Sequence, residues 1–137
     1  MTGFDYFKLC VTDKYATFEG RARRAEFWYF LLFNIIFNFV FLFLSLALVG
    51  ATDNTVFFLI YLIYSVLIII PSIAVCIRRL HDTNRSGWWY LLNFIPFGSI
   101  VLLFMYCYEG DVGRNGYGND PKRPEVIIEF ETINKIS

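Results

Sequence analysis

A chain of 137 residues that is 57% apolar, 20% aromatic and only 18% charged departs from soluble domains, which carry about 45–50% apolar and about 25% charged residues. Twelve basic side chains balance twelve acidic ones, which removes the global basic field that nucleic-acid binding relies on. The length sets an expectation of one domain, and the composition makes it a membrane domain.

Residues 1–25 read as a cytoplasmic leader. Phe4, Phe7, Val11, Tyr15 and Phe18 fall at helical spacing among charges, which predicts an amphipathic helix lying in the membrane interface. A break is expected at residues 17–20, before a membrane domain over 26–108. Apolar segments follow at 27–50, 56–77 and 88–108, each of the length, about 20 residues, that crosses a hydrocarbon core of roughly 30 Å. The first is too long for a cleavable signal, whose apolar run is usually ~7–15 residues, and it sits behind a charged leader.

The Lys and Arg residues lie in three groups. Lys8, Lys14, Arg21, Arg23 and Arg24 precede the first segment, Arg78, Arg79 and Arg85 separate the second from the third, and Arg114, Lys122, Arg123 and Lys135 follow the third. None interrupts an apolar run. By the positive-inside rule the first two groups face the cytoplasm, so segments one and two form a helical hairpin with both ends inside. Residues 51–55 then form its outer turn.

The third segment contains Pro96 and Gly98 and admits two paths. It spans once, the path favoured here, or it descends part-way, turns at Pro96–Gly98 and returns, which puts every basic residue on one side. The tail, 109–137, is rich in Gly and Pro; turns are expected at Asn115-Gly116 and Asp120-Pro121, and Val126 to Phe130 as a weak strand or short packed segment.

The stretch "RRLHDTNRSGWW" that opens at Arg78 reads as an interfacial turn holding two membrane segments together. Glu26, at the start of the first helix, is expected to bridge to Arg78 or Arg79 across the hairpin's open end. Arg23, Arg24, His81, Asp82 and Arg85 complete an interfacial polar cluster, with Trp28, Trp88 and Trp89 in the same aromatic belt. Asp82 is expected to cap a helix or to pair with a nearby arginine. Inside the apolar segments Asn34, Asn38 and Ser45 share one face of the first helix, Ser65 and Ser72 one face of the second, and Asn93 adds a third contribution. Polar groups in hydrocarbon are costly and face protein or a wet cavity, so this stripe reads first as glue between helices and second as the lining of a solute path.

Catalytic, metal and cofactor sites are not expected. Adjacent residues on a helix diverge by about 100°, so His81 and Asp82 are no ready dyad; one histidine with Cys10, Cys76 and Cys107 lacks metal-ligand spacing. The cysteines read as free thiols. "GDVGRNGYG" is followed by no Gly-Lys-Ser/Thr, and it lies beyond the last apolar segment, so it is neither a phosphate loop nor a filter.

"GRARRAEFWYF", "RRLHDTNRSGWWYLLNFIPFG" and "GRNGYGNDPK" resemble the three signature blocks of a small bacterial inner-membrane family, catalogued as domain of unknown function 805. The resemblance covers roughly residues 15–122. It implies a compact multi-spanning inner-membrane protein and no established activity, cofactor or substrate. Members tend to carry Asn-Arg before an aromatic-Gly pair, whereas here Gly116 precedes Tyr117-Gly118 and the arginine stands at 114.

Two functions stay open. The first is a regulatory or interaction module, with Arg21, Arg23, Arg24, Arg78, Arg79 and Arg85 on a basic aromatic cytoplasmic face that meets anionic headgroups, another membrane protein or further copies of the chain. The second is an oligomeric small-solute or ion pathway lined by Asn34, Asn38 and Ser45. Either places the protein in the bacterial inner membrane, multi-pass, with a cytoplasmic N-terminus.

Overall fold

The computed structural model describes residues 1–123 and 132–136. Its elements are α1 (Gly3–Val11), α2 (Arg24–Thr52), α3 (Val56–Asp82), a 3₁₀ helix (Gly87–Phe94) and α4 (Gly98–Cys107). The architecture is all-α: two long apolar helices in an antiparallel hairpin, a shorter apolar third element, and α1 packed on the side. The segment from Val126 to Phe130 lies outside the described residues.

α2 and α3 are long and apolar enough to cross a membrane. Only 6% and 11% of their most apolar windows are buried within the chain, whereas a core helix of a soluble protein hides most of its surface. Phe39, Phe43, Ile60, Ile63 and Val66 point outward along them, a continuous apolar surface that only lipid can cover. The hairpin turns where Asp53 takes a left-handed conformation (φ 52°) and its N–H closes on the Val49 carbonyl. Both helices run past the predicted boundaries at their charged ends, because Glu26, Arg78, Arg79 and Asp82 find partners there and need not leave the helix.

α1 begins with a capping box in which Thr2 and Asp5 satisfy each other's backbone N–H groups. Phe4 and Phe7 pack on Phe33, and Phe7 also on Phe30 and Phe37, so its apolar face is spent on α2. Tyr15 and Phe18, expected on the same helix, lie beyond its end at Val11. Tyr15 has a separate task. Pro71 sits inside α3 and carries no N–H, which leaves the Leu67 carbonyl, four residues back, without its helical donor. The Tyr15 hydroxyl donates to that carbonyl at 2.6 Å.

The third segment does not span once. Ile95 accepts from the Gly98 N–H at 2.9 Å, with Pro96 and left-handed Phe97 (φ 64°) between them, and this turn breaks the helix. Its start, Gly87, lies against Ile77 and His81, while its end reaches Arg79 through the carbonyls of Tyr106 and Tyr108. Both ends therefore sit at the charged end of α3. Ten residues of α4 rise only about 15 Å, half of a core of roughly 30 Å. The return is tight enough that a Cβ at Gly98 would collide with the Leu92 carbonyl. Asn93 donates to the Tyr90 carbonyl and accepts from the Ser99 hydroxyl, supplying partners to the turn where lipid offers none.

Tyr15→Phe is expected to lower the Tm of the detergent-solubilised protein, with a loss of roughly 1 kcal/mol for the hydrogen bond removed from a carbonyl on the apolar face of α3. In a Pro71→Ala background, where the amide at position 71 can donate to Leu67, the same change should cost far less. Equal losses in both backgrounds would show that the hydroxyl does not replace the missing amide.

Candidate functional site

At the end of the hairpin where α2 begins and α3 stops, Arg21, Glu26, Arg78, Arg79 and Asp82 are all buried. They form a plate with two nodes. In the first, Arg78 is paired with Glu26, and the Cys10 thiol lies against both. Lys14 adds a longer contact to Glu26 at 3.6 Å. In the second, Asp82 holds Arg79 on one oxygen and the Arg21 Nε on the other, the latter at 2.9 Å.

Three guanidinium groups face two carboxylates here, so backbone carbonyls supply the remaining acceptors. Arg79 donates to the carbonyls of Ala22, Tyr106 and Tyr108. Tyr106 and Tyr108 are at the C-terminal end of α4, where carbonyls lack helical partners and the helix dipole is negative. Arg79 is thus the C-terminal cap of α4, and it explains why the third segment returns. Arg21 donates to the carbonyls of Asp111, Gly113 and Gly118 and so draws the tail across the plate. The Asp111 N–H closes on the Asp82 carbonyl at 2.8 Å. A Cβ at Gly110 would collide with the Asp82 carboxylate, so only glycine lets the tail lie so close.

The tail is fixed at three further points. Asn115 donates to the His81 carbonyl at 2.9 Å, and Gly116 donates to the Asn84 side chain. The Tyr117 ring stacks on His81 at 4.0 Å with an interplanar angle of 3°. The turns at 116–117 and 121–122 fall where the dipeptides placed them. Glu109 is exposed and receives Lys122 at 2.9 Å and Arg24 at 3.1 Å. The hydrogen bond and charge of Lys122, followed by the charge of Arg24, hold its carboxyl below the ordinary 4.5. A depressed acid contributes above its unfolded pKa and loses that contribution as pH falls through its folded one, so this tie loosens in acid.

Of the predicted interfacial cluster, the fold brings Glu26, Arg78, Arg79 and Asp82 together and leaves His81 at the margin, its Nδ1 donating to the Gly20 carbonyl at 3.0 Å. Arg23, Arg24 and Arg85 stand apart. Arg23 lies over the Tyr6 ring, Arg24 on Glu109, and Arg85 over the Tyr108 ring with a hydrogen bond to Thr83. Of six arginines expected to face outward, Arg21, Arg78 and Arg79 are turned inward; every guanidinium nitrogen of Arg21 and Arg79 has an acceptor, whereas the Arg78 Nε is buried without one among the described residues. Sequence spacing put Arg21 on the outward face and did not assign Gly110; a lone glycine after an acidic residue is the only hint of the latter. Burial and the charge of Glu26 push the Cys10 thiol up to about 11, against a smaller opposing effect from Arg78, so it stays protonated and inert at neutral pH.

The polar stripe lies between α2 and α3. Asn38 donates to the Asn34 side chain at 2.8 Å, Asn34 reaches Ser72 at 3.5 Å, and Ser45 donates to the Phe57 carbonyl across the hairpin. Ser65 and Ser72 donate to carbonyls of their own helix. Asn93 is not part of the stripe, because it serves the turn described above.

Hairpin, returning third element and buried plate define a small integral membrane protein. The chain belongs to the family described as "Protein of unknown function (DUF805)", whose model matches residues 15–119. It is 45% identical over 122 residues to the Escherichia coli (strain K12) protein named "Inner membrane protein YhaI", covering 83% of this chain and 93% of the relative. It is 44% identical over 115 residues to "Inner membrane protein YhaH" of the same strain, covering 83% and 94%. A more distant likeness, 26% over 151 residues, joins it to "Uncharacterized protein YiiR", covering 88% and 94%. No solved structure matches.

Glu26→Gln removes the charge facing Arg78 while the guanidinium stays buried, so a loss of roughly 3–5 kcal/mol and a matching fall in Tm are expected. Replacing both partners, Glu26→Gln with Arg78→Met, should recover most of it. A single variant as stable as the parent protein would mean that the pair is not buried.

Proposed function

We propose that this protein is a non-enzymatic interaction module of the bacterial inner membrane, multi-pass, with its N-terminus, plate and tail on the cytoplasmic side. The orientation rests on the positive-inside rule. The tail lies on the plate, so the basic residues up to Arg123 gather at one end of the hairpin. The observation that carries the functional reading is the inward commitment of the charges of that plate. Arg21, Arg78 and Arg79 are spent on internal acceptors, which makes their role the support of a fixed surface. Above them stand Arg24, Arg85, Lys122 and Arg123 together with the exposed apolar side chains of Trp88, Tyr108 and Val112.

Cationic and apolar groups on a rigid support suit a membrane-protein partner or a second copy, beside anionic headgroups that each contribute about 1 kcal/mol per base. The pathway reading keeps one observation in its favour. A recess of about 270 Å³ beside Asn34 and Asn38, walled by Ile35, Phe39, Leu42 and Tyr61, opens on the hairpin's outer face. An oligomer is required to close it into a path.

In-cell photo-crosslinking separates the two. A crosslinking residue in place of Val112 is expected to yield one discrete protein adduct, lost in an Arg24→Glu, Lys122→Glu background, while one in place of Asn38 gives no adduct to another chain. Crosslinks between copies at position 38, with a solute flux that Asn38→Leu abolishes, would establish the pathway and overturn the module.

A further inference from the structure

His81 has one ring nitrogen spoken for and one open. Its Nδ1 meets the Gly20 carbonyl at 3.0 Å. A carbonyl only accepts, so Nδ1 carries the proton and Nε2 of the neutral ring presents a lone pair. Tyr117 covers one face of the ring and holds its orientation. The Nε2 edge looks over Gly87, where a Cβ would stand 3.6 Å from Nε2 and 2.8 Å from Ile77 Cγ2. Without that Cβ the nitrogen opens into a pocket of about 400 Å³, walled by Phe18, Ile77, Trp88, Tyr90 and Leu91.

The lining has a consistent chemistry. It offers three aromatic rings, the His81 imidazole and the Ser86 hydroxyl, which already accepts from the Trp88 N–H at 3.3 Å, and among the described residues neither lysine nor arginine contributes to it. That excludes a phosphate pocket, which needs cations. Aromatic faces attract a cation, and a lone pair accepts from an N–H. The depth also fits a lipid. The pocket lies where α3 changes from apolar Ile77 to charged Arg78, next to Trp88, which is 78% exposed, and tryptophan marks the headgroup level.

We propose that this pocket binds the primary ammonium of an aminophospholipid, phosphatidylethanolamine in type. The ammonium donates to His81 Nε2 and rests against the rings of Phe18, Trp88 and Tyr90; the phosphate stays in the headgroup layer and the acyl chains run down the outer face of the 3₁₀ helix. A choline headgroup has the same charge and fits the same rings, but it has no N–H for Nε2. The site therefore distinguishes the two headgroups by one charge-assisted hydrogen bond. This site shares Trp88 with the partner surface proposed above and otherwise rests on different residues.

The test is lipid retention measured by native mass spectrometry. The full chain is placed in nanodiscs that hold equal amounts of phosphatidylethanolamine and phosphatidylcholine with a constant fraction of phosphatidylglycerol. The intact protein should retain the ethanolamine lipid with about tenfold preference, the discrimination one such bond supplies. In His81→Asn the side-chain amide can still donate to Gly20 while the Nε2 acceptor is lost, and the preference should vanish, with only the small fall in Tm that loss of the Tyr117 stack brings. Leu91→Trp fills the pocket from its exposed rim and should abolish retention with His81 intact, so the test stands even where the first variant folds poorly. No preference in the parent protein, or one that survives both variants, would overturn the site. Displacement by millimolar free ethanolamine would also overturn the lipid assignment and point to a soluble amine.

Discussion

Two adjacent arginines at the end of a hydrocarbon-spanning helix have to be given acceptors, and the rest of the molecule is arranged around that requirement. An unpaired guanidinium in a poorly solvated site is far more costly than the whole net stability of a small domain allows. Arg78 is answered by Glu26 from the other helix of the hairpin. Arg79 is answered by Asp82 one turn away, by the linker carbonyl of Ala22, and by the last carbonyls of α4. Arg21 then completes Asp82 and gathers the tail. Segments distant in the chain are held at one point by charge and hydrogen-bond geometry, beside the buried apolar cluster of Phe27, Phe30, Val75, Leu80, Leu102 and Tyr106.

The same tendency, that a polar group out of reach of water takes a partner, accounts for the smaller features. The carbonyl left open by Pro71 receives the Tyr15 hydroxyl, so the leader docks against the middle of α3 as well as on α2. Asn34, Asn38, Ser45 and Ser72 exchange hydrogen bonds with one another or across the hairpin. Asn93 supplies the turn of the third segment. Each is worth little alone, since interhelical hydrogen bonds in membranes average about 0.6 kcal/mol; their importance is in the penalty avoided.

A plate built in this way shapes what the protein is able to do. Its charges are committed internally, its thiol is held protonated, and its outward face is a stiff arrangement of aromatic and cationic groups. Stiffness suits recognition, because a surface that is already ordered loses little entropy on binding. The ring nitrogen of His81 that does not meet Gly20 faces an aromatic pocket beside Trp88.

Much of this was written in the amino-acid order. The apolar runs, the charge-free intervals and the Ala-to-Thr turn between the first two helices set the hairpin, because a helix without charged residues has no face for water. Antiparallel geometry alone puts Glu26 opposite Arg78. What only the tertiary structure decided is the path of the third segment and the inward turn of Arg21 and Arg79. Length and hydropathy are the same for a single span and for a broken, returning one. The choice depends on whether the end of α4 finds a donor, and that donor is Arg79, on another helix. In the same way a run of arginines reads as a surface until the carbonyls of Ala22, Tyr106, Gly113 and Gly118 are brought within reach. Local sequence determines which groups need partners; only the folded chain determines which partners they meet.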